Sequence, residues 1–287
     1  MKPPLFDYVT PESVEEAVAA RAAEEDSVLL AGGQSLLATL NFRISNPALL
    51  IDISRIPSLR GIDVNDSEII VRAMVRQREV ELSEAVHQAN PLVREVLQNV
   101  AHTVVRNRGT VAGSIAHADA AAELPAMLLA TEGSVDVQGP GGKRSIAAGD
   151  LFQFHLTTSL ADDEMIIAVR IPVMPPATGW SYMEFARRHG DYALAGICAL
   201  VTFDGDGRCT MARLAACGIA STAVRLASAE EELTGGLLDE AAIARAAKAA
   251  RDAVTAVDDS QASTAYRRHL VDTLTRRTLI QAKGRAA

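Results

Sequence analysis

The sequence predicts an α+β fold in two parts. An N-terminal α/β region forms two sub-lobes, about 1–55 and 56–175, and a C-terminal lobe of antiparallel sheet plus helices covers 176–287. Three observations predict it. Short apolar strand-like runs alternate with helix-forming stretches through the first half of the chain. The two prolines of Val173-Met174-Pro175-Pro176 favour an extended linker. Beyond them, three strand-like segments are followed by three helical runs.

Phe6 to Val9 reads as a short strand. Thr10 is a suitable N-cap and Pro11 fits a first helical position, ahead of helix formers from Ser13 to Ala23. Val28 to Ala31 is a buried-strand pattern, broken by Gly32-Gly33-Gln34-Ser35. A short helix follows over Leu36 to Phe42, and Leu49 to Ile53 is another buried strand. Ile62 to Val64 and Ile69 to Ala73 form a hairpin about Asn65-Asp66. The pattern turns helical near Val80, with one helix expected from about Pro91 to Val105 and another over Ala120 to Ala130. Val135–Gln138 and Lys143–Ile146 flank Gly139-Pro140-Gly141-Gly142 as a hairpin. Gly149 to Phe152 caps a short helix, and a strand over Glu164 to Ile171 ends at Pro172. In the C-terminal lobe the strands are Trp180–Arg187, Ala193–Phe203 and Cys209–Ile219, with Asp204-Gly205-Asp206-Gly207 turning between the last two. Helices cover Arg225–Leu233, Asp239–Ala256 and Ala265–Lys283.

At 287 residues the chain is long enough to bury a substantial core. A formal net charge of −8 argues against a nucleic-acid-binding surface, and 4% aromatic residues argue against base-stacking platforms. Cys198, Cys209 and Cys217 form no C-x-x-C motif, so this chain alone supplies neither an iron–sulfur cluster nor a structural zinc. They sit in strand patterns and read as core thiols. The sparse cysteine count, the absence of an apolar signal segment and the absence of a membrane-length apolar run make the cytoplasm the expected compartment.

The rest is organised around Arg106 to Pro125, R-N-R-G-T-V-A-G-S-I-A-H-A-D-A-A-A-E-L-P. Gly109, Thr110, Gly113 and Ser114 read as a turn between helices whose small side chains leave backbone N–H groups uncovered. The helix starting near Asp119 presents its positive end nearby. About eighty positions earlier, Val28 to Leu36 runs strand, glycine turn, helix start, an arrangement that cradles phosphate. Neither is a P-loop nor a Rossmann fingerprint. Together they point to two walls gripping one diphosphate, although the pattern alone leaves a purely structural role for each turn open.

A-G-G-Q-S (Ala31 to Ser35) with N-R-G-T-V-A-G-S-I-A-H-A-D-A-A-A-E-L-P (Asn107 to Pro125) resembles the FAD-binding medium subunit of molybdenum hydroxylases, the carbon monoxide dehydrogenase and xanthine dehydrogenase group. D-E-M-I-I-A-V-R-I-P (Asp163 to Pro172), R-R-H-G-D-Y-A (Arg187 to Ala193) and Y-R-R-H-L (Tyr266 to Leu270) extend the resemblance across nearly the whole chain. It implies a PCMH-type FAD-binding domain over 1–175. It also implies that Ala31, Gly32, Gly33, Gln34 and Ser35 form one diphosphate wall, and Thr110, Gly113 and Ser114 the other. Glu123 is similar to a residue that hydrogen-bonds the adenosine portion. Ile166 is similar to one near the adenine or isoalloxazine, and Tyr192 to an aromatic lying against the isoalloxazine. His117, in the same stretch, joins the cofactor-binding candidates. One departure is Ala112, where the family usually has glycine. No catalytic residue and no metal ligand is assigned to this chain.

The implied role is an oxidoreductase subunit that takes electrons from a small [2Fe–2S] subunit and passes them to an external acceptor. The molybdenum–pterin cofactor would lie in a large partner subunit, and the assembly would be a dimer of heterotrimers. A self-contained FAD oxidoreductase and a flavin-less scaffold are the alternatives.

Overall fold

The computed structural model describes residues 2–286. The N-terminal elements are β1 (Asp7–Val9), α1 (Val14–Ala23), β2 (Ser27–Leu30), α2 (Leu36–Asn41) and β3 (Leu49–Asp52). Their strands form a parallel sheet in the order β1-β3-β2. Helix α1 starts later than Thr10 and Pro11 imply. Ser13 is the cap, its Oγ accepting the Glu16 N–H at 3.2 Å, while the Glu16 carboxylate accepts the Glu12 N–H at 2.9 Å. Ser13 has a glutamate three positions on, as a capping pair needs, whereas Thr10 has Ser13 there.

The second sheet contains β4 (Ile62–Val64) and β5 (Glu68–Arg72). Six helices then intervene: α3 (Gln77–Leu82), α4 (Glu84–Ala89), α5 (Pro91–Asn99), α6 (Thr103–Arg106), α7 (Val111–His117) and α8 (Glu123–Ala130). After them come β6 (Ser134–Gly139), β7 (Gly142–Ala147), α9 (Ala148–Leu151), β8 (Phe152–Phe154), β9 (Thr157–Thr158) and β10 (Met165–Pro172). The order β4-β5-β10-β6-β7 is antiparallel throughout and puts β10 in the middle. Strands β8 and β9 pair separately as a small hairpin.

Three sequence expectations fail here. The helix expected over Pro91 to Val105 breaks after Asn99 and resumes at Thr103, with Ala101 at φ +45°. The Arg106 guanidinium takes the carbonyls of Val100 (2.8 Å) and Ala101 (3.1 Å), which capture holds the chain in its break. Gly113 and Ser114 are not in a turn but inside α7. Thr110 is its N-cap, Oγ1 accepting the Gly113 N–H at 3.0 Å. Helix α7 closes at Ala118 (φ +51°), so no helix starts near Asp119, and the run expected from Ala120 is helical only from Glu123. Glycine's low helix propensity hid the capping pattern.

The C-terminal lobe has an antiparallel sheet β11-β12-β13-β14, made of β11 (Thr178–Phe185), β12 (Ala195–Phe203), β13 (Cys209–Cys217) and β14 (Val224–Arg225). Helices α10 (Ala227–Glu231), α11 (Glu240–Asp252) and α12 (Thr264–Arg285) follow. Arg225 belongs to β14 rather than to a helix, registering with Ala215 and clamping Glu230 at 2.7 Å. The sheet is covered on both faces. Cys198, Leu200, Ala215 and Cys217 join the core of the N-terminal region, whereas Ile197, Ala199, Val201 and Leu214 face the core beneath the C-terminal helices. Double burial is why β12 reads as an unbroken apolar run. All three cysteines are free and buried. No helix among the described residues is long and apolar enough to cross a membrane.

Candidate functional site

A cleft of about 730 Å³ opens between β2, β10, α7 and the loop ahead of β12, a volume in the range of small-molecule and cofactor sites. Every site residue expected from the sequence lines it: Ala31 to Ser35, Thr110, Gly113, Ser114, His117, Glu123, Ile166 and Tyr192.

One wall is the turn that carries the chain from β2 into α2. Gly33 adopts φ +72°, a left-handed conformation that glycine takes without strain. Gly32 is needed for a different reason. A Cβ there would lie 2.6 Å from the Arg108 carbonyl oxygen and 2.7 Å from Gly109 Cα. The two walls therefore touch backbone to backbone. Among the described residues, the backbone amides of Gly32, Gly33, Gln34 and Ser35 donate to no protein acceptor, while the Gln34 side-chain amide donates to the Gly32 carbonyl at 3.3 Å. Helices α2 and α7 span only six and seven residues, so the uncovered amides, more than a long helix dipole, suit this rim to an anion.

The second wall is Gly109, Thr110 and the first turn of α7. Helix α3 braces it. The Gln77 backbone N–H donates to the Gly109 carbonyl at 2.8 Å, its side-chain amide donates to the Thr110 carbonyl at 3.4 Å, and Arg76 donates to the Arg108 carbonyl. Below them, Arg106 is buried and paired with Glu81 at 2.8 Å. Ala112 is buried in the helical first turn, outside the positive-φ region, so its methyl leaves the backbone path of α7 unchanged.

The remaining sides come from elsewhere in the chain. Met165 and Ile166 reach the cleft from β10, beside a register shift between Ile166 and Ala168. The end of α7, the link after it and the start of α8 supply His117, Asp119 and Glu123 in turn. Tyr192 projects from the loop ahead of β12. It is 57% exposed, so it is not a core residue, and its phenol lies beside Ser35. Sequence reading missed Gln77, Asp191 and the Leu156–Leu160 segment of the small hairpin, which also line the cleft. A lone glutamine in a helical stretch gives no signal, and F-Q-F-H-L-T-T carries no glycine or proline to mark a hairpin. Arg187 and Arg188 lie outside the cleft, Arg187 donating to Gln261.

The polar groups are tuned by burial. Glu123 is 5% exposed, and desolvation, then the nearby carboxylates Glu184 and Asp119, push its carboxyl up to about 8. Burial likewise raises Glu184, against the opposing hydrogen bond from the Tyr182 hydroxyl at 2.7 Å. His117 is shifted downward by burial, which outweighs the pull of Asp119. A diphosphate-bearing cofactor fits this construction: uncovered amides at the rim, two walls in contact behind it, and an apolar, partly polar-lined interior.

The comparisons agree with that chemistry. Residues 4–174 match the FAD binding domain in molybdopterin dehydrogenase, and residues 180–282 match the CO dehydrogenase flavoprotein C-terminal domain. The chain thus belongs to the FAD-binding medium subunits of the molybdenum hydroxylases, which makes it a subunit of an oxidoreductase. In particular, it is similar to the 6-hydroxypseudooxynicotine dehydrogenase complex subunit alpha of Paenarthrobacter nicotinovorans. The identity is 42%, covering 100% of this chain and 97% of the relative. The carbon monoxide dehydrogenase structure from Hydrogenophaga pseudoflava superposes with a TM-score of 0.97 at 35% identity, covering 100% of both chains. Quinoline 2-oxidoreductase from Pseudomonas putida 86 gives 0.94 at 36% identity, covering 100% of this chain and 99% of the other.

Proposed function

We propose that this subunit transfers electrons between partners, holding FAD non-covalently across the cleft between a [2Fe–2S] donor subunit and an external acceptor. The observation that carries this reading is the backbone contact of Gly32 with Gly109, which brings the amide-lined first wall and the first turn of α7 onto one cleft. Ala31 to Ser35 would hold the diphosphate from one side and Thr110, Gly113 and Ser114 from the other. Glu123 would meet the adenosine portion and Ile166 the ring surroundings. Tyr192 would lie against the isoalloxazine, and His117 would complete the lining. The flavin supplies one- and two-electron chemistry when bound, and the chain supplies its binding, orientation and electrostatics. The organic substrate is handled in a large subunit carrying the molybdenum–pterin cofactor, and the whole assembles as a dimer of heterotrimers in the cytoplasm. The domains divide at 175.

Purification of the native complex tests this. Mass spectrometry should find the chain with a molybdenum subunit and an iron–sulfur subunit, in two copies each. The chain expressed alone should bind FAD yet oxidise no heterocycle, aldehyde or carbon monoxide. Turnover by the isolated chain would instead establish a self-contained oxidoreductase, and a colourless protein that takes up no flavin would establish a scaffold.

A further inference from the structure

The R-R-H-G-D-Y-A segment holds two residues, His189 and Gly190, that the binding role leaves unexplained. They lie in the loop from β11 to β12, whose base is closed by the Leu194 N–H donating to the Phe185 carbonyl at 2.8 Å. Above that base, backbone support is thin. Among the described residues, the single amide from Ala186 to Ala193 that donates to a protein acceptor is that of Asp191, which closes a turn on the Arg188 carbonyl at 3.1 Å. Gly190 is the third residue of that turn, at φ +88°, where positive φ calls for glycine. This thinly held loop nevertheless supplies Gly190, Asp191 and Tyr192 to the cleft.

A side chain from the N-terminal region seats the turn. His102 follows the break after α5, and a Cβ at Gly190 would lie 2.6 Å from its Cε1 and 2.9 Å from each ring nitrogen. Those near-equal distances lay the face of the imidazole, not its edge, over the glycine. His189 adds a second ring, its centroid 5.9 Å from that of His102 and the planes at 66°, an edge-to-face pair. His102 stands on a fixed base. Its carbonyl accepts the Val105 and Arg106 N–H groups at 2.8 and 3.2 Å, and Arg106 holds the two carbonyls before it. Its ring caps no helix amide. Val100, Ala101 and Val105, which flank it in sequence, line the same cleft. The imidazole thus joins two stretches of cleft wall, one from each lobe.

Resting on the reading that this cleft takes FAD with Tyr192 against the isoalloxazine, we propose that His102 is a positioning residue that seats the Gly190 turn and so holds Tyr192 at the flavin. Tyr192 lies two residues beyond Gly190, too close along the chain for the turn to shift without it. Glycine at 190 meets two demands at once: it takes the positive φ, and it leaves room for the ring face. Removing the imidazole opens a gap over the turn that no backbone hydrogen bond spans, and Tyr192 then leaves its place more often. The diphosphate walls keep their own contacts throughout.

Two readouts test this. The first is trypsin cleavage of the full chain without FAD, scored by mass spectrometry as fragments ending at the exposed Arg187 or Arg188. Cleavage follows the opened population of the loop, so His102→Ala should be cut there about threefold to tenfold faster than wild type. His102→Phe keeps a flat ring and should recover most of the wild-type resistance, while a thermal melt of each variant reports global folding. The second readout is the fluorescence of bound FAD, which a tyrosine held against the isoalloxazine quenches. His102→Ala should bind FAD with a Kd within about threefold of wild type and brighten it. Tyr192→Ala should brighten it at least as much, and the double variant no further than Tyr192→Ala alone. Wild-type cleavage in His102→Ala, or no recovery in His102→Phe, overturns the proposal. So does brightening by His102→Ala that adds to that of Tyr192→Ala. Failure of the wild type to bind FAD, or of Tyr192→Ala to change its fluorescence, would instead overturn the functional reading beneath it.

Discussion

Replacing Gly32 with alanine tests whether contact between the walls sets the width of the cofactor cradle. The new methyl would lie 2.6 Å from the Arg108 carbonyl oxygen, 2.7 Å from Gly109 Cα and 3.1 Å from the Thr110 nitrogen. Ordinary van der Waals contact begins near 3.4 Å, so the walls must part by roughly 0.8 Å. All three obstacles are backbone, and that backbone is pinned by Gln77, Arg76 and the buried Arg106–Glu81 pair. No side chain can swing aside to absorb the strain. Overpacking of this kind costs about 1–3 kcal/mol. If the cost is taken as separation of the walls, FAD affinity falls roughly fivefold to 150-fold. Gly33→Ala is the control. There the left-handed φ costs about 1–2 kcal/mol, but the neighbours are the tips of Leu30 and Leu37, which can yield. Fluorescence titration of the flavin-stripped protein gives the Kd, and a thermal melt of the same sample reports folding. A folded Gly32→Ala protein binding FAD within twofold of wild type would refute the reasoning, whatever its melting temperature.

Glu81→Ala should destabilise the protein by about 3–5 kcal/mol, read as a large fall in melting temperature, because Arg106 would be left buried without its counter-charge. Burial disfavours ionised Glu81, but hydrogen bonds from Arg106 and Arg78 outweigh it and hold its pKa low. Its stabilisation should therefore be complete at neutral pH and be lost on acidification from the ordinary glutamate range down through that lowered pKa. Tyr192→Ala should leave the melting temperature unchanged, to within about 0.5 kcal/mol, since the ring is exposed. It should shift the visible flavin spectrum and slow reoxidation, and an unchanged spectrum would remove Tyr192 from the flavin face. Burial raises all three thiols, Cys209 to about 11, so a thiol-specific chromogenic reagent should label none in the native protein and three after denaturation.

The strands were legible because their signals are local. Val28 to Ala31 and Leu49 to Ile53 are apolar runs bounded by glycine or proline, and Asp204 to Gly207 announces its own turn. The start of α1, the break after α5 and the start of α7 were not, because each is decided by a competing side chain. Ser13 outdoes Thr10, Arg106 captures two carbonyls, and Thr110 caps a helix that contains a glycine. At the site, the glycine turns could be read as ligand-facing surfaces. That Gly32 presses on Gly109 is a contact between residues far apart in sequence, and periodicity carries no trace of it.

The central place of β10 has a consequence for the order of events at the ribosome. Hairpins β4–β5 and β6–β7 can each close as soon as they emerge, yet neither reaches the other until residues 165–172 arrive between them. At a synthesis rate of about 5–20 residues per second, the edge of β6 stays unpaired for about 2–7 seconds and that of β5 for about 5–20 seconds. The nascent protein passes through a stage with two open sheet edges exposed to neighbouring chains. Slowing translation just upstream of β10 should lengthen that stage and lower the yield of soluble subunit, without changing one amino acid of the product.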